Sequence, residues 1–285
     1  MTNLASDLRD ATIALETVSE TPRLDAELLM AHALGVGRSE MLLRQHDLSR
    51  PQNFGALLAR RVAHEPVAYI IGHQAFWDLD LHVTADVLIP RADSETLLEA
   101  AIEWFEGKVA PARIADLGTG SGALLLAGLS IFPGAVGVGV DASQAAIEVA
   151  KGNADRLGMC DRASFHTRDW REGGWTEGLG TFDLILCNPP YIESAVVLPA
   201  MVAQFEPHGA LFAGPDGLSD YRALIPVLAS MLSPKGVIFF EIGYNQAESV
   251  ALLGRKAGFS TSLRRDLSGN PRVLRFSLGI EDLND

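Results

Sequence analysis

The chain predicts an α/β fold: a doubly wound, mostly parallel sheet preceded by a small helical domain. Three observations lead there. From Pro111 onward, short apolar runs alternate with helical stretches of about 10–15 residues, as parallel strands joined by crossover helices require. A glycine-rich turn, Gly118-Thr119-Gly120-Ser121-Gly122, follows the first of those strands. The run Phe182-Asp183-Leu184-Ile185-Leu186-Cys187 reads as a central strand buried on both faces, and it stops on Asn188-Pro189-Pro190-Tyr191.

Taken in order, residues 1–73 read as a helical domain. Leu4, Leu8, Ala11 and Leu15 fall near helical spacing. Pro22 suits the first turn of a second helix, which Gly35 and Gly37 end. Residues 39–43 form a short third helix, and Pro51 opens a fourth through Leu57, Leu58 and Val62. Nothing here has the spacing of a metal site or a nucleotide loop. This part is either a partner-recognition cap or a purely stabilising one. Residues 74–90 read as a hairpin linker, on the alternation of Phe76-Trp77-Asp78-Leu79-Asp80-Leu81-His82-Val83. Asp93 or Ser94 is the candidate N-cap of the next helix, and Arg91 and Glu95 are placed to pair across one turn.

Residues 91–285 carry the sheet. Residues 114–117 form a strand, 123–130 a helix, 135–140 a strand closed by Asp141, and 143–156 a helix. Strands at 163–167 and 182–187 follow, then a helix at 219–232 stopped by Pro234 and Gly236. A strand at 237–242, a helix at 246–257 and a closing pair at 259–263 and 273–276 complete the domain.

Composition narrows the function. With 48% apolar and 21% charged residues the chain is an ordinary globular one. A net charge of −13, most of it beyond residue 75, argues against a surface built on phosphate contacts. No stretch is long and apolar enough to span a bilayer, and the N-terminus lacks the layout of a secretion signal. The two cysteines, Cys160 and Cys187, make no disulfide framework, so a reduced, cytoplasmic protein is expected. The seven histidines show no metal-ligand spacing.

The glycine turn allows a ligand to approach the backbone closely. Asp141 can accept both hydroxyls of an adenosine ribose. Gly118, Gly120 and Ala123 also satisfy a dinucleotide fingerprint, so NAD stays open at this point. Two features favour S-adenosylmethionine. Asp116 sets a carboxylate beside the turn, suited to a cationic amino group and repellent to a pyrophosphate. Asp169 and Trp170 offer an acceptor for an adenine amino group and an aromatic body to pack on the ring.

At the other half, Pro189 and Pro190 carry no N–H and force the chain out of the sheet at its ligand-binding edge. The carbonyls of Asn188 and Pro189 are thereby held stiffly, Asn188 adds a side-chain acceptor, and Tyr191 adds a flat face. Such a ledge suits a planar –NH2 group: two acceptors for its two hydrogens and a ring to lie over it.

These residues resemble the bacterial release factor glutamine methyltransferases, the HemK/PrmC family of protein N5-glutamine methyltransferases. The resemblance runs through Pro66-Val67-Ala68-Tyr69-Ile70-Ile71-Gly72, Leu88-Ile89-Pro90-Arg91, the segments 116–123 and 182–192, Glu206-Pro207, Gly217-Leu218, and Glu241-Ile242-Gly243 with Gln246. Ala92 and Ser94 stand where that family commonly has proline and threonine. The resemblance implies a seven-stranded, Rossmann-like methyltransferase sheet, with the helical domain recognising substrate. It implies methyl transfer from S-adenosylmethionine, leaving S-adenosylhomocysteine, to the glutamine of the Gly-Gly-Gln loop in class 1 peptide chain release factors. By motif, Gly118, Thr119, Gly120, Ser121, Gly122, Asp141 and Trp170 are expected to bind the cofactor, joined by Asp116 and Asp169. Asn188, Pro189, Pro190 and Tyr191 are expected to hold the glutamine, with Asn188 also close to the cofactor and Asn188, Pro189 and Tyr191 serving catalysis. A monomer that binds neither DNA nor membrane is expected. The alternatives are an adenine-specific N6 DNA methyltransferase and a non-catalytic protein that holds a translation factor.

Overall fold

In the computed structural model, which describes residues 4–279, each predicted element is present. The N-terminal helices are α1 (Leu4–Leu15), α2 (Pro22–Leu34), α3 (Arg38–Leu43), α4 (Phe54–Val62) and α5 (Val67–Ile71). Their apolar stripes meet in one core around Leu4, Leu15, Leu29, Met30, Met41 and Phe54. Gly35, left-handed at φ 68°, closes α2 as its position predicts. Pro51 does not open α4: the helix starts at Phe54, after a turn in which the Phe54 N–H reaches the Pro51 carbonyl. Buried Arg61 bonds the Asp25 carboxylate at 2.7 Å and the Val18 carbonyl at 3.0 Å, which keeps its charge from standing alone in the core.

The hairpin is β1 (His73–Phe76) and β2 (Leu79–His82), turned at Trp77, which takes φ 55°. Ser94 occupies the cap position of α6 (Glu95–Phe105) but makes no cap bond; a 3₁₀ turn over Ala92–Ser94 replaces that cap. Arg91 and Glu95 do not pair either. Arg91 goes to Glu206 at 2.5 Å, and Glu95 accepts the Trp77 N–H at 2.8 Å. Both departures have one cause: partners distant in sequence outcompete those one turn away.

The remaining elements are β3 (Arg113–Leu117), α7 (Ala123–Ile131), β4 (Val136–Asp141), α8 (Gln144–Arg156), β5 (Ala163–Thr167), β6 (Phe182–Cys187), α9 (Ala200–Phe205), α10 (Ser219–Leu228), β7 (Leu232–Glu241), α11 (Ala247–Lys256), β8 (Phe259–Arg265) and β9 (Pro271–Leu278). Seven strands form one sheet in the order β5-β4-β3-β6-β7-β9-β8, with β9 antiparallel to both neighbours and the other pairs parallel. Side chains alternate between its faces, as strand geometry demands. Ile114, Leu184, Leu186 and Phe239 pack with α6, α7 and α8, whereas Ala115, Ile185, Cys187 and Phe240 pack with α10 and α11. Helix α10 ends at Leu228, short of Pro234, and β7 begins at Leu232. Pro234 and Gly236 fall where pairing with β6 slips from Leu232 to Val237; a Cβ on Gly236 would stand 2.7 Å from the Phe182 carbonyl.

Two compact units result. One comprises residues 4–73 together with Leu198–Phe205; the other comprises Gln74–Val197 and residues 206–279. Among the described residues no helix is long and apolar enough to cross a membrane, and no group of His, Cys, Asp or Glu is arranged to hold a metal. Cys160 is exposed, Cys187 is buried, and both are free.

Candidate active site

Strand register assembles the site. Leu117 pairs with Cys187, and Cys187 with Phe240. The next residues of three adjacent strands, Gly118, Asn188 and Glu241, therefore emerge side by side at the carboxyl edge. The chain winds from β3 outward to β4 and β5, then resumes on the other side of β3 with β6. The crevice at that reversal is where open α/β sheets bind ligands.

Gly118, Gly120 and Gly122 all have positive φ, at 80°, 52° and 85°, a conformation that only glycine adopts without strain. The turn is held from inside. The N–H groups of Gly118 and Thr119 both donate to the Val140 carbonyl at 2.9 Å, Gly120 donates to Asp141 Oδ2 at 2.9 Å, and Gly122 donates to the Thr119 carbonyl at 2.7 Å. Asp141 also accepts the Ser143 N–H at 2.9 Å; burial pushes its carboxyl upward while these backbone donors pull it down. Asp116 is enclosed under the turn. Its Oδ2 takes the Thr119 hydroxyl at 2.7 Å and the Leu125 N–H at 3.3 Å, its Oδ1 has no partner, and burial raises its pKa to about 7. Thr119 and Ser121 are buried as well, so their side chains shape the turn and do not line the crevice.

This arrangement bears on what the turn can hold. The N–H groups of Gly118, Thr119, Gly120 and Gly122 are engaged within the protein and are not free to hold a pyrophosphate. Asp116 Oδ1 and Asp220 Oδ2 are buried oxygens without partners. Trp170 borders the same space. A Cβ on Gly118 would lie 3.2 Å from the indole Cη2 and 3.8 Å from the Asn188 carbonyl oxygen. The indole N–H donates to Asp220 Oδ1 at 2.7 Å, an orienting contact that Arg171 shares at 3.0 Å. Asp169 accepts the Arg171 N–H two residues on at 2.9 Å, which fixes the loop that carries Trp170.

The ledge is braced by long-range contacts. Asn188 Nδ2 donates to Ser94 Oγ at 3.1 Å, and Ser94 Oγ donates to Glu241 Oε2 at 2.5 Å. The Tyr191 hydroxyl donates to Glu241 Oε1 at 3.3 Å, and the Tyr221 hydroxyl donates to the Glu241 main-chain carbonyl at 2.7 Å. Burial pushes the Glu241 carboxyl upward, opposed by Ser94, by the Arg272 charge and by Tyr191; burial and the adjacent Glu241 hold the Tyr191 phenol well above its usual range. Gln246 Nε2 donates to the Tyr191 carbonyl at 3.0 Å and to the Gly217 carbonyl at 3.1 Å, which pins the far end of the ledge. Pro189 and Pro190 are both buried.

Gly118, Gly120, Asp141, Trp170, Asn188 and Tyr191 are thus gathered around one crevice, while Asp116, Thr119 and Ser121 stand behind its wall. Three contributors were not assigned from the residues alone. Ser94 reads as a helix cap, Glu241 as a strand-end carboxylate that either lines the site or pairs structurally, and Asp220 carries no sequence signal of its own. The signal for Glu241 was its place one residue beyond the apolar run of β7, level with Asn188.

Comparison with known proteins agrees with this geometry. Residues 8–72 match the family model described as the PrmC N-terminal domain, and residues 109–250 match a methyltransferase domain. A release factor glutamine methyltransferase of Rhodospirillum rubrum is 44% identical over 261 residues, covering 90% of this chain and 78% of the relative. One from Bradyrhizobium diazoefficiens is 41% identical, covering 95% of this chain and 91% of the relative. Among solved structures, the fold is shared with the 16S rRNA N2 G1207 methyltransferase of T. thermophilus, at TM-score 0.51 and 21% identity over 73% of this chain and 50% of that one. The chain belongs to the release factor glutamine methyltransferase family, as its motifs led one to expect.

Proposed function

We propose that this protein transfers a methyl group from S-adenosylmethionine to the side-chain amide nitrogen of the glutamine in the Gly-Gly-Gln motif of class 1 peptide chain release factors. The observation that carries the reading is the ledge itself: Asn188, its amide tied back by Ser94, stands directly beside the turn at Gly118. When bound, S-adenosylmethionine supplies an electrophilic methyl on a cationic sulfur. Gly118, Gly120, Asp141 and Trp170 would hold it.

An amide nitrogen is a poor nucleophile because its lone pair is delocalised into the carbonyl. The residues of the ledge therefore work mainly by placement and by charge. Among the described residues nothing donates to Asn188 Oδ1 or to the Pro189 carbonyl. Both are available to accept the two hydrogens of a glutamine –NH2. Those bonds strengthen as positive charge grows on the nitrogen, so they favour the transition state over the ground state. Tyr191 stays a neutral phenol, and Glu241 is enclosed with both oxygens engaged. Neither acts as a base, and the surplus proton of the methylated amide leaves to water.

Intact-mass analysis of a purified, unmodified release factor after incubation with enzyme and S-adenosylmethionine tests the reading. One added methyl, mapped to the Gly-Gly-Gln glutamine, is the expected result. Labelled methyl found in DNA adenine instead would overturn it.

A further inference from the structure

Ser94 and Glu241 belong to no turn of the cofactor side and touch no solvent of consequence, yet they join Asn188 to Tyr191. The chemistry of the three groups allows the connection to run in one direction only. The Ser94 hydroxyl donates its single hydrogen to Glu241 Oε2 at 2.5 Å. The Ser94 oxygen then has only lone pairs left, and the carboxamide of Asn188 must meet it with Nδ2. Oδ1, on the opposite limb of a planar amide, is left facing away from Ser94. Burial pushes the Glu241 carboxyl upward, and Ser94, the Arg272 charge and the Tyr191 hydroxyl on the other oxygen oppose that push.

We infer that Glu241 and Ser94 are positioning residues for methyl transfer: through Ser94, Glu241 fixes the Asn188 carboxamide with its acceptor turned toward the substrate nitrogen. The inference rests on the proposed role of the ledge in binding a carboxamide. Without the relay an amide is free to turn by half a rotation, because its oxygen and nitrogen limbs are of nearly equal size. It would then offer donors to a substrate –NH2 that also has only hydrogens to give. Mechanistically the cost falls on turnover more than on cofactor affinity, since neither Ser94 nor Glu241 borders the glycine turn.

The test uses full-length protein labelled with 15N-asparagine, with the Asn188 carboxamide signal identified by its loss in Asn188→Ala. Removing one neutral hydrogen bond predicts an increase of about 10-fold in hydrogen exchange of that carboxamide in Ser94→Ala, and a fall of about 10-fold in kcat on unmodified release factor. The cofactor Kd measured by calorimetry should stay within about 2-fold of the parent. Ser94→Thr, which keeps a hydroxyl, should restore both the slow exchange and the turnover, and Glu241→Gln should disturb the same signal as Ser94→Ala. An Asn188 signal and kcat untouched by Ser94→Ala sink the inference, as does Ser94→Thr behaving like Ser94→Ala. A wild-type enzyme that leaves the release factor unmethylated, while the carboxamide signal responds as stated, would overturn the substrate assignment and uphold the relay.

Discussion

The two walls of the crevice are built in opposite ways. The turn at Gly118–Gly122 is braced by neighbours in sequence: Asp116 reaches Thr119, 3 residues away, and Leu125, 9 away, while Asp141 reaches Gly120 across 21. The ledge at Asn188–Tyr191 is braced from afar, by Ser94 at a separation of 94, by Glu241 at 50 from Tyr191, and by Gln246 at 55. A locally braced wall is close to preformed once its strand exists. A remotely braced one is assembled only when the whole sheet has closed, so its geometry depends on strands and helices that carry none of the chemistry.

That contrast can be tested from both sides. The largest effect is expected at Asp116. Its pKa is raised by burial from 3.8 to about 7, so between those values the folded protein holds a proton that the unfolded chain lacks. Stability from this group is complete below pH 3.8 and is lost as pH rises through about 7. The whole window is worth on the order of 4 kcal/mol. Asp116→Asn, which cannot ionise, should flatten the pH dependence of the unfolding free energy by that order; equal slopes in the two proteins would show that the brace does not titrate there.

Next comes the ledge. Asn188→Ala should lower kcat by roughly 10²-fold or more, on the scale of losing one oriented polar contact, and reduce cofactor affinity less. Near-parental turnover on intact release factor would remove Asn188 from the mechanism. On the turn, Gly118→Ala adds a methyl group at φ 80° that meets the Trp170 ring at 3.2 Å. Backbone strain of about 1–2 kcal/mol predicts roughly 5- to 30-fold weaker cofactor binding, read by calorimetry, with thermal stability also reduced. The smallest effect belongs to Asp220→Asn, which keeps the side-chain volume and weakens the holds on the Trp170 N–H and on Arg171. About 1 kcal/mol, or roughly 5-fold in cofactor Kd, is expected. A loss in Asp220→Asn larger than that in Gly118→Ala would mean that Trp170, and not the turn, dominates that wall.

Much of this was legible beforehand because it depends on neighbours. Apolar alternation placed six of the seven sheet strands within a residue or two, and glycine spacing located the turn. The two prolines after Cys187 marked where β6 must end. Errors arose where a local preference met a distant competitor. Ser94 is a residue type that caps helices, but its oxygen accepts from the Asn188 amide in place of a helix N–H, and its hydrogen goes to the buried Glu241 carboxyl. Arg91 abandons Glu95, one turn away, for the enclosed Glu206. Pro234 reads as the stop of the preceding helix, yet that helix ends at Leu228 and β7 runs through Pro234, where its pairing with β6 slips.

By itself, then, the amino-acid order determined the kind of sheet, the position of its glycine turn and the proline-stiffened exit from β6, because each follows from backbone preferences over a few residues. Only the closed sheet decided which carboxylates line the crevice and which hide behind it, and which hydroxyl turns the amide of Asn188. Register sets those matters: once β3, β6 and β7 lie in parallel, residues 118, 188 and 241 must stand in a row with 188 at its centre, and no stretch of chain holds that information alone.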